Sequence, residues 1–358
     1  MIVVSHGKDI LKSTIDALNA SDIKKYLKPE YSVALKPNLV VPHPASEGAT
    51  THPEVVEGVI IFLKEYGVRD IKIIESSWVG ANTAKAFANC GYEELSKKYE
   101  VPLIDLKKDN STKITSGTHT IRICDEVFKS DFLINIPVLK AHGQTKLTCC
   151  MKNLKGVIPD SEKRRFHMLG LNRPIAELNK MVKVGYNVID GICGDLTFEE
   201  GGNPVEANRI IVGRDPFLLD SYCAGLIGYI PSEIGYLEHG QKIGLGEYYS
   251  KDVEIIEINT NEKSLATRSS RIAESYSSMI REDSACSACY SSLLYALHRY
   301  GPRAKTFGPF HIGQGYKGKK GEGIGIGNCA CGFPLSVPGC PPNASEIYEL
   351  FRSLGKRL

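Results

Sequence analysis

The sequence lacks the apolar segments that membrane insertion or export requires. No apolar run reaches the roughly 18–20 residues that a helix needs to cross a bilayer. The first residues, MIVVSHGKDILKS, contain neither a long apolar core nor a small-residue cleavage site, so no signal peptide is expected. These two absences predict a cytoplasmic protein that has no membrane partner.

Strong net charge and nucleotide-binding fingerprints are also missing. The 44 Lys and Arg residues nearly balance the 41 Asp and Glu residues, so the formal net charge is +3. A balance this mild does not indicate a nucleic-acid partner. No GxGxxG motif follows the first strand and no GxxxxGK[ST] motif occurs, so the dinucleotide-binding and P-loop classes are not supported.

Short apolar strands alternate with amphipathic helices over most of the 358 residues. Residues 32–41 and 70–76 read as strands, and residues 53–66 as a helix that begins at Pro53 and ends at Gly67. This alternation predicts an α/β fold, a mostly parallel sheet with flanking helices, over residues 1–260. Residues 261–358 are expected to form a small C-terminal region of helices and loops that is rich in cysteine.

Eleven cysteines are unusual for a protein expected in a reducing compartment, where disulfides are rare. Six of them lie in apolar stretches and are expected to be buried thiols that pack as small hydrophobic side chains: Cys90, Cys124, Cys149, Cys150, Cys193 and Cys223. The other five fall between residues 286 and 340, which suggests a metal site.

The late cysteines have the chemistry of a four-thiolate site. Cys286 and Cys289 form a C-x-x-C pair at the start of a predicted helix, Cys329 and Cys331 form a C-x-C pair, and Cys340 stands before two prolines. Four thiolates can hold a [4Fe–4S] cluster or a zinc ion. We predict a cluster, with zinc as the alternative, because the second half of the motif is not a compact zinc knuckle. The predicted ligands are Cys286, Cys289, Cys340 and Cys329, with Cys331 as the alternative to Cys329.

A basic segment follows the predicted strand DFLINIPVL. Residues 137–167 contain seven Lys and Arg residues and two acidic residues, a net charge of +5. Ligands of open α/β sheets bind beyond the carboxyl ends of strands, so this segment is expected to bind a small anionic substrate. Lys140, His142 and Lys152 are the predicted catalytic residues, and Asn153 and Lys155 the predicted binding residues. The alternative interpretation is a solvated loop.

Other predicted strands also end in polar side chains, which are expected at the same edge of the sheet. Glu75 closes one predicted strand and is a candidate base or metal ligand. Lys36, Asn38, His52 and Asp215 are candidate binding residues, although His52 could instead cap a helix and Asp215 could cap a helix or pair with Arg214.

Several blocks together resemble the domain-of-unknown-function 362 family: LKPNLV (35–40), THPEVV (51–56), INIPVLKAHGQTKLTCCMKNLKGVIP (134–159), NVIDGICG (187–194) and IIVGRDPFLLDSYCAGLIGY (210–229). The tail IGIGNCACGFPLSVPGCPP resembles a cysteine-bearing extension found in some members. The resemblance implies an iron–sulfur protein with a shared site, and assigns the site residues no roles. The two-cluster ferredoxin module of many relatives is absent, because no C-x-x-C-x-x-C run occurs.

Three functions remain open at this stage. The first is a [4Fe–4S] oxidoreductase that acts on a small anionic substrate, with a redox partner protein and with homo-oligomer formation left open. The second is a non-catalytic protein for electron transfer or for cluster-dependent sensing or assembly. The third is a zinc-stabilised hydrolase that uses Glu75 or His142.

Overall fold

The computed structural model describes residues 1–117, 119–263, 269 and 271–356, and its largest element is an eight-stranded sheet. Across the sheet the strands lie in the order β12 (Ile255–Ile258), β1 (Ile2–His6), β11 (Pro204–Gly213), β10 (Tyr186–Asp195), β7 (Phe132–Ile136), β2 (Val33–Pro37), β3 (Ile71–Glu75) and β4 (Leu103–Asp105). Strand β11 runs antiparallel to both neighbours, and the other adjacent pairs are parallel. Strands β2, β3, β7 and β10 therefore end at one edge, which we call the carboxyl edge.

Helices cover both faces of this sheet. The first face packs against α1 (Ile10–Ala20), α2 (Pro53–Tyr66), α3 (Thr83–Asn89) and α4 (Tyr92–Tyr99). The second packs against α5 (Cys150–Asn153), α6 (Asp160–Met168), α7 (Asn172–Met181), α8 (Pro216–Leu226) and α9 (Gly235–Lys242). Successive strand residues point to opposite faces, so Ile73 joins the first hydrophobic cluster and Ile74 the second.

The C-terminal region contains a third hydrophobic cluster, which also includes Phe198 from the loop after β10. It contains the helices α10 (Ile272–Tyr276), α11 (Ser287–Tyr300) and α12 (Ala344–Gly355), and an all-parallel sheet of β13 (Ile280–Glu282), β14 (Phe310–Ile312), β15 (Ile324–Ile326) and β16 (Leu335–Val337). The expectation of helices and loops alone was incomplete, because strands of three residues are too short to show an alternating pattern. The boundary near residue 260 stays a prediction. Residues 264–268, 270, 357 and 358 of this region lie outside the described residues.

Two hairpins complete the strands: β5 (Ser111–Ser116) with β6 (His119–Cys124), and β8 (Lys140–His142) with β9 (Lys146–Thr148). The second hairpin attaches the C-terminal region to the carboxyl edge. The Gln144 side chain at its turn accepts a hydrogen bond from Ser287 Oγ (2.9 Å) and donates one to the Ala285 carbonyl (3.1 Å). A Cβ at Gly143 would lie 3.0 Å from the Tyr290 ring, so the hairpin backbone lies directly against α11.

The predicted α/β class is confirmed by this architecture. The predicted helix at 53–66 is α2, with Pro53 in its first turn and Gly67 in a left-handed conformation (φ 104°) at its end. The helix predicted at the first late cysteines is α11, which begins directly after Cys286. Within the described ranges, no helix is long and apolar enough to span a membrane.

The buried centre of the large sheet gives a stability prediction. Ile134 lies in β7 and is fully buried, whereas Ile230 is 66% exposed. We expect Ile134→Ala to lower the free energy of unfolding by about 2–5 kcal/mol, because it leaves a cavity in a packed core. Ile230→Ala makes the same chemical change at the surface and should shift the urea midpoint little. Similar midpoints for the two variants would contradict the packing described here.

Candidate functional site

A buried ion pair joins the carboxyl ends of two adjacent strands. Lys36 is the next-to-last residue of β2 and Glu75 is the last residue of β3. Because these strands are parallel neighbours, the two side chains meet at the carboxyl edge. The Lys36 ammonium lies 2.9 Å from Glu75 Oε2, and both side chains are almost completely buried. Glu75 also accepts backbone hydrogen bonds from Leu39 (3.0 Å) and Ser76 (2.6 Å). Burial lowers the pKa of Lys36, and Glu75 opposes this effect.

Gly156 in the KNLKG motif lies against this ion pair. A Cβ at this position would overlap Glu75 Oε1 and the Lys36 ammonium. Only glycine lets the chain after α5 approach the pair this closely. The close approach of the backbone to the ion pair thus explains the glycine of the KNLKG motif.

A chain of asparagine amides holds α5 at the carboxyl edge. The Asn153 amide donates to Asn135 Oδ1 (2.8 Å), and the Asn135 amide donates to Asn187 Oδ1 (3.0 Å) and to the Cys150 carbonyl (3.0 Å). All of these groups are buried, so their mutual hydrogen bonds offset the loss of water. Sequence reasoning did not select Asn135 or Asn187, although both lie in strands of otherwise apolar character.

Glu199 is the second buried carboxylate of the site and was missed by sequence reasoning. It follows β10 in the LTFEEGG loop, and its Oε1 accepts a hydrogen bond from the Lys152 ammonium at 2.7 Å. Its Oε2 lies 2.8 Å from His142 Nε2. Burial alone would raise the pKa of Glu199, but His142 and Lys152 hold it well below its usual range. The carboxylate is therefore ionised at neutral pH.

Lys140 and His142 contact Glu199 from outside the cavity. The Lys140 ammonium donates to the carbonyls of Ala49 and Glu199, both at 2.8 Å. His142 Nδ1 accepts the backbone N–H groups of Gln144 and Thr145, so its proton is on Nε2, facing Glu199. Burial, with Lys152 nearby, lowers the pKa of His142 to about 4. Neither residue lines the cavity described next, so the structure places two of the predicted catalytic residues behind the site.

A cavity of about 90 Å³ opens at the carboxyl edge between the large sheet and α11. Its basic side chains outnumber the acidic ones, five to two: Lys36, Lys152, Lys155, Lys163 and His167, and Glu75 and Glu199. The predicted residues Asn38 and Asn153 also line it, and so does Cys286 at the start of α11. The volume is that of a few water molecules, which suits a small ligand.

Lys155 differs from the other lysines of this cavity because no carboxylate pairs with it among the described residues. Its ammonium lies 3.4 Å from His167 Nε2. Burial, followed by repulsion from Lys152, lowers the pKa of Lys155 to about 7. With Lys155 donating to Nε2, the His167 proton is on Nδ1, and this buried atom has no hydrogen-bond partner in the described chain. Lys155 and His167 can therefore serve an additional acceptor.

The late cysteines come from three turns that lie together. Cys286 occupies the N-cap of α11 without making a side-chain capping bond, and Cys289 lies in its first turn. A Cβ at Gly327 would lie 3.7 Å from Cys289 Sγ, so the turn that carries Cys329 lies beside this pair. Asn328 N donates to the Gly339 carbonyl (2.9 Å), and Gly339 N donates to Asn328 Oδ1 (2.7 Å), which joins the Cys329 and Cys340 turns.

The late thiols influence one another but do not have zinc spacing. Burial raises the pKa of Cys289 to about 12, and the charges of Cys286, Cys340 and Cys329 add to this rise. In the part of the chain that the structure describes, no three of the late thiols lie within 4.8 Å of one another. Thiolates around one zinc ion are about 3.8 Å apart, given Zn–S bonds of about 2.3 Å. In a cubane cluster each thiolate binds a different iron atom, which requires wider spacing.

A different cysteine group does have close spacing. Donor atoms of Cys149, Cys150 and Asp220 lie within 4.8 Å of one another. The Asp220 carboxylate already accepts the N–H groups of Cys150 (2.7 Å) and Met151 (3.1 Å) and the Tyr236 hydroxyl (3.0 Å), so it acts as the anchor for the start of α5. Burial raises the pKa of Cys150 to about 12. These thiols fit the predicted role of small hydrophobic side chains, and all six early cysteines are buried.

Two predicted binding residues lie away from the cavity. His52 Nδ1 lies 2.8 Å from Asp190 Oδ2, and Asp190 also accepts the His52 backbone N–H. Asp215 accepts the N–H groups of Phe217 and Leu218 and caps α8. Because Asp215 follows the antiparallel strand β11, it lies at the edge opposite to the cavity.

The sequence profile of the family described as Domain of unknown function (DUF362) matches residues 33–225, more than half of the chain. The chain belongs to the DUF362 family. The matched range includes β2, β3, the KNLKG motif and Glu199, and thus the large-sheet side of the cavity. The cysteine turns lie outside the DUF362 match.

Several known proteins are similar to this DUF362 chain. A thylakoid-associated protein of Synechocystis is 26% identical over 231 residues, which cover 62% of this chain and 70% of the relative. Lactate racemase apoprotein from Thermoanaerobacterium thermosaccharolyticum matches in structure with a TM-score of 0.40 and 13% identity, over 68% of this chain and 57% of that chain. A Thermotoga maritima protein gives the same TM-score and identity, over 66% and 60%. The chain thus spans less than two thirds of these two solved structures.

The Glu199–Lys152 pair gives a prediction for the site. We expect Glu199→Gln to lower the free energy of unfolding by about 3–5 kcal/mol at neutral pH, because Lys152 would become a buried charge without a counter-charge. Adding Lys152→Met should restore part of this loss, since no uncompensated charge remains. Urea unfolding followed by circular dichroism measures both effects.

The matched control for this experiment is Glu238→Gln. It removes an ion pair with Lys242 in which both side chains are more than half exposed, so the urea midpoint should hardly change. If Glu199→Gln behaves like Glu238→Gln, the buried pair does not stabilise the site.

Proposed function

We propose that this protein is a [4Fe–4S] redox enzyme that acts on a small anionic substrate bound in the cavity at the carboxyl edge. One observation carries the proposal: Cys286, a candidate cluster ligand, lines the same cavity as Lys152, Lys155 and His167. A group held by the cysteine turns would thus stand at the wall of a cationic cavity. The substrate would bind in this cavity directly beside the cluster that transfers electrons.

The residues present fit a cluster. The proposed ligands are Cys286, Cys289, Cys329 and Cys340. The Asn328–Gly339 hydrogen bonds join the Cys329 and Cys340 turns, and Gly327 lies beside Cys289. The free N–H groups at the start of α11 favour thiolate over thiol at Cys286. Burial, followed by the charges of Cys329 and Cys340, raises the pKa of Cys286, and Lys155 and the exposed Arg164 oppose this rise. Cys331 is exposed, two residues after Cys329, and remains the alternative to it.

The lining of the cavity supports an anionic substrate. Among the residues that the structure describes, Lys155 has no carboxylate partner and the His167 Nδ1–H group has no acceptor. A carboxylate or other small oxyanion would accept a hydrogen bond from the Lys155 ammonium, and such charge-assisted hydrogen bonds are strong. Ser287 and Ala288 line the same wall, where the helix dipole of α11 also favours negative charge.

The proposed roles follow from these contacts. A bound cluster supplies or accepts one electron at a time. Lys155 binds and orients the anion, and the His167 Nδ1–H group can donate a hydrogen bond to a second acceptor. Lys152 adds positive charge while Glu199 fixes its position. Glu75 is engaged by Lys36 and two backbone N–H groups, so it positions the cavity wall and does not act as a base.

A non-catalytic electron carrier is the second candidate, because Cys331 and Cys340 are exposed and a bound cluster would be near the surface. A zinc hydrolase is less well supported. Glu75 and His142 are the bases it would use. Glu75 is engaged by Lys36 and backbone N–H groups, and His142 Nδ1 already accepts the Gln144 N–H group. The cytoplasmic location stays a prediction, since the name of the Synechocystis relative associates that protein with thylakoids.

The cluster is tested by metal analysis of anaerobically purified protein. We expect about four irons per chain and a broad visible absorbance that bleaches with dithionite. Serine substitution of Cys286, Cys289, Cys329 or Cys340 should each lower the iron content, whereas Cys331→Ser should retain it. Protein that holds one zinc ion and no iron would overturn the cluster proposal.

The substrate cavity is tested with formate and phosphate as probe anions. Either anion should alter the electron paramagnetic resonance spectrum of the dithionite-reduced protein, because it binds beside Cys286. Lys155→Met should weaken this effect about ten- to a hundred-fold, since a hydrogen bond to a charged group contributes about 1.5–3 kcal/mol. Lys97→Met, at an exposed lysine on α4, is the control and should leave the titration unchanged. Equal titrations for the two variants would remove Lys155 from the site.

A further inference from the structure

We infer that the surface formed by Lys317, Lys319 and Lys320 is the docking site for a small acidic electron-carrier protein. We call it the lysine surface. The inference rests on the proposed function, and it adds the class of partner and the place where that partner binds. Neither the cavity nor the DUF362 match accounts for this surface, which lies outside both.

The backbone of the lysine surface packs closely against the cysteine turn that contains Cys331. A Cβ at Gly332, directly after Cys331, would overlap the Lys319 carbonyl oxygen. The turn is ordered by backbone hydrogen bonds, since Lys319 N donates to the Tyr316 carbonyl at 3.0 Å. Phe333 stacks on His311 with ring centroids 4.4 Å apart, which fixes the cysteine turn from its other side. The lysines and Cys331 therefore form one continuous surface.

The charges of this surface are available to a partner. All three lysines are exposed, and among the described residues Lys317 and Lys320 have no ion pair. Lys319 lies 3.6 Å from Asp283, an exposed pair that contributes little. Positive charge thus lies beside the turn that carries Cys329 and Cys331, because the Lys319 backbone packs against Gly332.

This arrangement fits an acidic electron carrier better than a structural function. Complementary charge raises the rate at which two proteins meet and sets their orientation. A partner that binds here would stand over Cys331 and Cys340, both exposed, while the substrate binds on the inner side at Cys286. In the proposed step the reduced carrier loses one electron and the oxidised cluster gains it, and no bond forms or breaks.

The experiment measures reduction of the cluster in the full-length, iron-loaded protein. The electron donor is a reduced acidic 2[4Fe–4S] ferredoxin, and stopped-flow absorbance follows the reaction. Charge reversal at all three positions, Lys317→Glu with Lys319→Glu and Lys320→Glu, should slow reduction at least about ten-fold. It should also weaken the dependence of the rate on ionic strength. Reduction by dithionite, a small molecule, should stay unchanged.

A second triple variant controls for the change in net charge. Lys85→Glu with Lys97→Glu and Lys251→Glu makes the same change at exposed lysines in other parts of the chain. Its rate of reduction by the ferredoxin should stay within about two-fold of the wild type, because steering depends on charge near the contact site.

Two results would overturn the inference. One is equal reduction rates for the two triple variants. The other is loss of binding to an RNA oligonucleotide in the lysine-surface variant without any slower reduction, which would assign the surface to a nucleic-acid partner. Both can occur in protein that holds four irons and bleaches with dithionite, so they leave the proposed cluster standing. Absence of iron would instead remove both proposals.

Discussion

The buried ion pair of Lys36 and Glu75 is the constraint on which the site depends. It ties the ends of β2 and β3 together, and Glu75 also holds the chain after both strands. A buried pair stabilises only when its remaining polar atoms are satisfied, and the Pro37 carbonyl and Asn153 complete the set around Lys36. Asn153 in turn connects to Asn135 and so to β7. The cavity floor is thus one hydrogen-bonded unit, which explains why few of its polar groups are free to change partner.

The buried basic residues of the site are of two kinds: those paired with a carboxylate and those without such a partner. Most charged groups are already matched: Lys36 with Glu75, and Lys152 with Glu199. Among the described residues, Lys155 and His167 are matched only with each other. Fixed charges cost no reorganisation when a ligand arrives, which is the condition for strong electrostatic stabilisation. The lysine–glutamate pairs therefore give the cavity its shape and rigidity, whereas Lys155 and His167 provide affinity for an anion.

Part of this arrangement could be predicted from the sequence, and the reason for the limit is physical. Lys36, Glu75 and the KNLKG motif follow apolar strands, and parallel strands place such residues at one edge. Strand direction leaves no mark in an alternating pattern, so the antiparallel path of β11 and the position of Asp215 at the opposite edge were not predicted. Glu199 lies in a loop 47 residues from Lys152, and no periodicity connects a loop carboxylate to its partner. Tertiary packing alone decides such pairs.

The hydrogen bonds between Gln144 and α11 have a consequence for the order of assembly. One wall of the cavity belongs to the C-terminal region, and Gln144 anchors this region at Ser287 and Ala285. A chain whose last quarter has not yet folded therefore has an incomplete cavity, open on the side of Cys286. Under the proposed function, folding of the region that carries the cluster ligands therefore precedes the capture of substrate.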